Sequence, residues 1–487
     1  MTVLDMLKSQ GVHIQDITSD SRKVGMGSVF LAYPGERVDG RAFIAQAIGQ
    51  GAAAVVWENA GYAWDSSWQV PNLAVNELRL QSGFIADEFY GHPSRELWMI
   101  GVTGTNGKTS CSHWLAQAFA ALGKPTAVIG TLGNGLPNAL SEAINTTPDS
   151  ILLHQMLAEF SREGAQAVAM EVSSHGLDQG RVNGVSFDVA VFTNLSRDHL
   201  DYHGDMQSYA AAKRKLFHWP GLSCAVLNAD DDLGREIAWE LQDLGHRVLT
   251  YGLESGEVRG SALQFTHHGL SMQVHTPVGK GLLEANVFGR FNAYNLLAVL
   301  SAMLASDVAL ADALDALRTI RPVAGRMQSL GGGGKPLVVI DYAHTPDALE
   351  KVLNTLAEQL NEQKENHGRL ICVFGCGGNR DTGKRPLMGA VAAQLADVVI
   401  VTSDNPRNED PKDIIADITR ERPSSFDIEP DRAAAIHRAI AVAEPADIVL
   451  IAGKGHENYQ EIQGVKHPFS DYAVAQQALQ HYGERAL

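Results

Sequence analysis

Lys108 and Thr109 close the stretch GVTGTNGKTS at 101–110, behind two glycines, Gly104 and Gly107. An ammonium, a hydroxyl and a turn-forming run are what a phosphate cradle needs. The lysine screens the outer phosphates, the hydroxyl reaches a Mg²⁺ ion, and backbone N–H groups at a helix start face the anion. The spacing departs from the common G-x-x-x-x-G-K-[ST] pattern, because Val102 stands where the first glycine belongs. One alternative is a shortened nucleotide loop made of Gly104, Thr105, Asn106, Gly107, Lys108, Thr109 and Ser110. The other is a glycine-rich turn between a strand and a helix.

Two further stretches carry chemistry. In AMEVSSHGL, Glu171 ends an apolar run, and a carboxylate there can hold a metal near phosphates or simply face solvent. TNLSRDHLDYHGDMQSYAAAK then crowds Asp198, His199, Asp201 and His203 ahead of Lys213. Such density straight after an apolar run points to a metal or an anion. Taken alone, Lys213 beside Arg214 and Lys215 reads as a helix-surface cation.

The elements that must position these groups follow from the apolar runs. LWMIGV, PTAVIG, AVAMEV, DVAVFTN and CAVLNAD read as strands with helical patterns between several of them. That rhythm predicts a mostly parallel, doubly wound sheet, with ligands outside the carboxyl ends of its strands. SCSHWLAQAFAALG predicts an amphipathic helix closed by Gly123, and SALQFTHHGLSMQVHTP a hairpin about a His-Gly turn. Before residue 88, SVFLAYPG and AAAVVW are strands, and RAFIAQAIGQG is a helix ending at Gly51. After RPVAGRMQ at 321–328 the rhythm restarts with PLVVIDYA, LICVFG, DVVIVTSD and DIVLIAG. The expectation is three α/β units: 1–88, 89–322 and 323–487. GGGG at 331–334 reads as a loop between strands.

The totals agree. The 487 residues exceed one ordinary core, and 45% apolar with 20% charged residues is a globular balance. A net charge of −17 argues against a general nucleic-acid binder. No apolar run is long enough to span a bilayer, and the N-terminus lacks a signal core, so a cytoplasmic location is expected. Cys111, Cys224, Cys372 and Cys376 read as free buried thiols, since one C-x-x-x-C pair is a poor zinc signature.

GTNGKT, EVSSHGL, TNLSRDHLDYHG, YAAAK, GRFNAYN, DYAHTPD and GKGHE, in this order, resemble the Mur ligases of peptidoglycan synthesis over essentially the whole chain. The resemblance implies a small α/β UDP-binding domain, a central P-loop-type ATPase domain on a mostly parallel sheet, and a Rossmann-like C-terminal domain. It implies ATP-driven joining of an amino acid to a UDP-linked muramoyl peptide through an acyl phosphate, by a monomer. ATP is then a co-substrate and Mg²⁺ the cofactor. The shortened loop becomes that family's ATP site, with Lys108, Lys213 and His199 catalytic. Thr109 and Glu171 would hold one Mg²⁺ and His199 a second, with Lys213 a carbamylated lysine serving as a metal ligand. Asn292 and Asn295 would face adenine, and Asn292 can also cap its helix. Arg326 and Asp341 would meet phosphates and ribose, with His344 nearby.

The same resemblance assigns UDP-MurNAc-L-Ala-D-Glu to Ser19 and Ser21 of TSDSRKV and to Glu36, Arg37 and Val38. It adds Asn145, Thr146 and Thr147 of INTTPDS, then Ser173, Gln179 and Arg181. Without the family, TSDSR is only a turn. DNPR, from Asp404 through Asn405 and Pro406 to Arg407, looks like the signature of the meso-diaminopimelate-adding type. Arg407 would grip that acceptor's extra carboxylate, with Asp404 and Asn405 on the neighbouring ammonium. Lysine would leave Arg407 unpaired, at a cost of about 1–3 kcal/mol. Arg380, Gly453 and Glu457 would complete the pocket. L-lysine as acceptor, a folylpolyglutamate-type synthetase and a nucleotide-dependent binding switch are the competing readings.

Overall fold

The apolar runs pair into three main sheets in a computed structural model that describes residues 1–36, 38–266, 269–362 and 368–483. The first sheet is parallel throughout, in the order Asp16–Thr18, Ser28–Ala32, Ala54–Glu58, Asn72–Val75. Its two central strands are buried along their whole length, as parallel strands covered on both faces must be. The helix expected over RAFIAQAIGQG is split into a 3₁₀ turn, Gly40–Phe43, and a short helix, Ile44–Gly49.

The second sheet has ten strands. Its parallel heart runs Val248–Gly252, Cys224–Asn228, Val189–Phe192, Trp98–Thr103, Ala167–Glu171, Thr126–Gly130. Thr103 and Glu171 therefore leave neighbouring strands at the same sheet edge, and Asn194 follows from the strand on the other side. The expected hairpin is present as Val258–Thr266 against Gly269–Thr276, although its turn, His267 and His268, lies outside the described residues. A third antiparallel strand, Gly279–Ala285, extends it.

The helix behind the phosphate loop, Lys108–Ala121, corrects one expectation. It is not amphipathic, since every residue from Thr109 to Ala116 is buried. That stretch packs between the sheet and the helices Arg290–Ala305 and Leu310–Leu317, and the last turn, at Ala120 and Ala121, meets water. Gly123 closes it at φ 74°, as expected.

The third sheet runs Gln328–Gly331, Leu337–Asp341, Ile448–Ala452, Leu370–Phe374, Val398–Val401, Asp427–Ile428, parallel except at its first pair. Of GGGG, Gly331 ends the first strand and the other three glycines lie in the hairpin turn of that antiparallel pair. All four cysteines are buried and free.

Candidate active site

Val102 lies inside the strand Trp98–Thr103, fully buried and paired with Glu171 and Val191 neighbours in the ladder. The strand thus occupies the place where the common motif has its first glycine, and the loop begins at Gly104. Gly104 adopts φ 146°, and a Cβ there would stand 1.8 Å from the Thr193 Oγ1. Gly107 adopts φ 88° and would collide with the Asn295 Oδ1 at 2.4 Å. The loop is fixed from the next strand end: Thr105 N–H donates to the Asn194 carbonyl at 2.8 Å, and Asn106 N–H to the Asn194 Oδ1 at 3.0 Å.

Lys108 Nζ donates to the Gly104 and Thr105 carbonyls at 2.9 and 2.8 Å. Burial lowers its pKa, against the pull of Glu171 and Asp198. Thr109 Oγ1 donates to Glu171 at 3.0 Å, and Thr131 donates to the same carboxylate through N–H and hydroxyl at 2.9 and 3.1 Å. Among the described residues no group of three His, Cys, Asp or Glu side chains forms a metal cage. A fully buried carboxylate beside a threonine hydroxyl at a phosphate loop fits Mg²⁺, which takes few protein ligands and borrows phosphate oxygens.

Lys213 is no surface cation. It is 1% exposed, donates to the Gly104 carbonyl at 2.7 Å, and lies over the Tyr209 ring. Burial, with Lys108 close by, pushes its pKa well below 10.5. His199 sits in the left-handed region at φ 55°, with its ring against His175. Desolvation, then His175, Lys108 and Lys213, pull its imidazole down to about 3, opposed by Asp198, so it is neutral and able to bind a metal. Burial would raise the Asp198 carboxyl, but His344, His199 and Lys384 carry it well below the usual range.

A cavity of about 480 Å³ opens beside the loop, lined from the central unit by Asn106, Ser110, Tyr294 and Asn295 and from the third unit by Arg326 and Asp341. Asn292 does not cap its helix, which starts at Gly289 without a side-chain cap. Instead its Oδ1 accepts from Asn295 Nδ2 at 3.0 Å, behind the cavity. Arg326 donates to the Thr109 hydroxyl at 3.1 Å and stacks on Tyr342. Asp341 accepts from Met327 and Ala343 N–H groups at 2.8 Å, and burial raises its pKa against Arg326. His344 reaches Asp198 at 3.7 Å. Tyr294, Phe291 and Asp347 also serve this region and were not expected; Asp347 accepts from Asn106 Nδ2 at 3.1 Å. Its position at a helix start within DYAHTPD was the available signal.

Around the first unit, Glu36 hydrogen-bonds Gln179, which accepts from Arg181 at 2.7 Å. Arg181 also donates to the Thr147 carbonyl at 2.9 Å, and the Thr147 hydroxyl donates to Ser173 at 3.0 Å. Thr146 meets Thr131, the residue that holds Glu171, at 3.0 Å. Ser19 hydrogen-bonds the Tyr33 hydroxyl, and Ser21 is buried in a 3₁₀ turn capped by Asp20. Val38 and Asn145 are exposed, and Arg37 lies outside the described residues.

In the third unit, Asp404 and Asn405 are buried at the end of the strand Val398–Val401. Asn405 donates to Glu457 at 2.7 Å, and Lys454 donates to Asn405 and Glu457 at 3.0 and 2.8 Å. Gly453 adopts φ 112°, where a Cβ would touch Asp404 at 2.6 Å. Pro406 leads into Arg407, whose φ is 52°. Arg407 donates to the Gly378 carbonyl at 2.9 Å and pairs with Glu461 at 3.2 Å, so a ligand carboxylate must compete with Glu461. Arg380 is exposed next to Asp381, which faces Arg197 of the central unit at 3.5 Å. Lys454 and Glu461 escaped the sequence reading, because a charged residue in a loop or in a short polar edge strand gives no periodic signal.

Fold and site together define a nucleotide-using α/β enzyme. Family models match in three segments: "Mur ligase family, catalytic domain" over residues 13–90, "Mur ligase middle domain" over 102–303, and "Mur ligase, glutamate ligase domain" over 325–455. The chain belongs to the Mur ligase family. Among its relatives is the UDP-N-acetylmuramoyl-L-alanyl-D-glutamate–2,6-diaminopimelate ligase of Chromobacterium violaceum, 55% identical across 99% of this chain and 97% of that protein. The protein of the same name from Nitrosomonas europaea is 51% identical across 97% and 94%. A solved structure of a ligase of that name superposes with a TM-score of 0.68 at 37% identity, covering 96% of each chain.

Proposed function

We propose that the chain joins meso-diaminopimelate to UDP-N-acetylmuramoyl-L-alanyl-D-glutamate at the expense of ATP, a step of peptidoglycan synthesis carried out in the cytoplasm by a monomer. One observation carries the chemistry: Lys108 and Lys213 meet at the Gly104 carbonyl, while from another unit Arg326 reaches Thr109 of the same loop and His344 reaches Asp198 after the neighbouring strand. A carboxylate must approach an equally anionic γ-phosphate, and the cations Lys108 and Arg326 lower that repulsion. A dipeptide carboxylate oxygen bonds to the γ-phosphorus and ADP leaves. An amine of the acceptor then attacks the acyl phosphate, loses a proton and expels phosphate. Lys108 and Arg326 screen the transferring group, and the closed loop excludes water.

Thr109 and Glu171 would hold a Mg²⁺, and His199 with Lys213 a second; bound there, these ions neutralise phosphate charge. Burial favours the neutral amine of Lys213, the form that can add CO₂, forming an N–C bond and releasing a proton, and the product presents carboxylate-like oxygens. The adenine side falls to Asn295, backed by Asn292. Ser19, Ser21, Glu36, Arg37, Val38, Asn145, Thr146, Thr147, Ser173, Gln179 and Arg181 form the UDP-peptide side. Asp404, Asn405, Pro406, Arg407, Arg380, Gly453 and Glu457 form the acceptor pocket. The working boundaries are 1–88, 89–322 and 323–487.

The test is ADP release with ATP, Mg²⁺, the UDP-linked dipeptide and meso-diaminopimelate, each omitted in turn. Fast release is expected only with all four. Release that ignores the dipeptide and acceptor would favour a nucleotide switch.

A further inference from the structure

Arg432 belongs to no motif above, yet it is among the largest fully buried side chains of the molecule. It opens the helix Arg432–Val442, where the positive end of the helix dipole disfavours a cation. Asp471, opening the helix Asp471–Gln480, offsets this: Nε and Nη2 of Arg432 donate to its two oxygens at 2.7 and 2.8 Å, with both side chains 0% exposed. The guanidinium is not spent on the ion pair alone. Nη2 also donates to the Ala452 carbonyl at 2.9 Å, and Nη1 to the Ser403 carbonyl at 3.3 Å.

Those two carbonyls are what give the pair a purpose. Ser403 is the residue before Asp404, and Ala452 the residue before Gly453. Their strands, Val398–Val401 and Ile448–Ala452, are not neighbours, because Leu370–Phe374 lies between them. No ladder hydrogen bond therefore joins the two ends, and Arg432 reaches across the intervening strand to tie them. Beyond the tie the two chains meet directly through Asn405, Lys454 and Glu457, and the close approach of Gly453 to Asp404 leaves no room for a Cβ.

We infer that Arg432, clamped by Asp471, is a positioning residue for the amino-acid acceptor: it sets the spacing between the Asp404–Arg407 segment and the Gly453–Glu457 segment that form the two walls of the pocket. The inference rests on the acceptor pocket proposed above. A fork fixed at both oxygens holds two backbone segments to fractions of an ångström, and lysine, with one point charge, cannot.

The experiment compares wild type with Arg432→Lys and Asp471→Asn, using all three substrates and both diaminopimelate and lysine as acceptors. The diaminopimelate KM is expected to rise about tenfold or more in both variants, since displacement of a positioned group by about 1 Å can cost that much. The KM values for ATP and the UDP-dipeptide are expected to stay within about twofold, and the preference for diaminopimelate over lysine to narrow. Parallel loss for all three substrates, unchanged acceptor KM, or failure of both variants to fold would make the pair structural and overturn the inference. A wild type that forms no diaminopimelate product at all would instead sink the functional reading, and this inference with it.

Discussion

Lys108 and Lys213 donate to one carbonyl oxygen, that of Gly104, at 2.9 and 2.7 Å. Two ammonium groups so placed repel, and burial lowers both pKa values further. In CO₂-free buffer the unmodified Lys213 should therefore weaken the fold. Its folded pKa lies below the ordinary 10.5, so the unfolded chain holds more protons between the two values and stability rises with pH across that window. Lys213→Met should accordingly raise the melting temperature at pH 7 by a few degrees while abolishing ligation; calorimetry and an ADP assay check both halves. Lys213→Ala should lose activity and regain part of it with a short carboxylic acid, and full activity in plain buffer would remove the carbamate. Arg407→Ala should raise the diaminopimelate KM at least about tenfold, and the ATP KM much less, because in the proposed pocket the acceptor's carboxylate competes with Glu461 for its guanidinium. At this scale the sequence alone pointed to Lys108, Thr109 and Glu171 through spacing and strand position. It misplaced Asn292 as a cap and left Arg407 without Glu461, since a partner 54 positions on is set by tertiary packing.

Strands were the most legible elements. Parallel strands buried on both faces read as unbroken apolar runs, and Met99–Thr103 or Ile448–Ala452 could hardly be anything else. Gly279–Ala285 escaped because two glycines and a lysine mask its β character, and Tyr459–Ile462 with Val465–Pro468 because both are polar edge segments. The helix Lys108–Ala121 was legible as a helix but not as a buried one, since small residues such as Ser112 and Ala116 tolerate either setting. The shortened loop makes its own prediction. Gly104→Ala places a methyl group 1.8 Å from the Thr193 hydroxyl, and at φ 146° the backbone is strained for any side chain whatever the space. We expect a loss of at least about 2 kcal/mol in stability and no measurable ATP binding, read by denaturant titration and calorimetry.

Across the whole molecule, the third unit touches the phosphate loop and the segment after the strand Val189–Phe192 through small polar contacts: Arg326 with Thr109 and Asp347 with Asn106, then His344 with Asp198 and Asp381 with Arg197. Interfaces of this kind suit reversible closure over substrates. Asp347→Ala removes one of them without touching a core and should raise the ATP KM roughly fivefold at unchanged melting temperature. The grouping of strands into three main sheets was legible because the strand–helix alternation breaks and restarts along the chain; which sheet's loops meet which was not, because contacts between them leave no period. The central claim is that one cleft joins a UDP-linked dipeptide to an acceptor bearing two amino-acid ends. Product mass after incubation with ATP–Mg²⁺, UDP-N-acetylmuramoyl-L-alanyl-D-glutamate and equal diaminopimelate and lysine tests it most directly. The expected result is a tripeptide carrying diaminopimelate alone. Equal lysine product, or ADP without any new peptide, would contradict it.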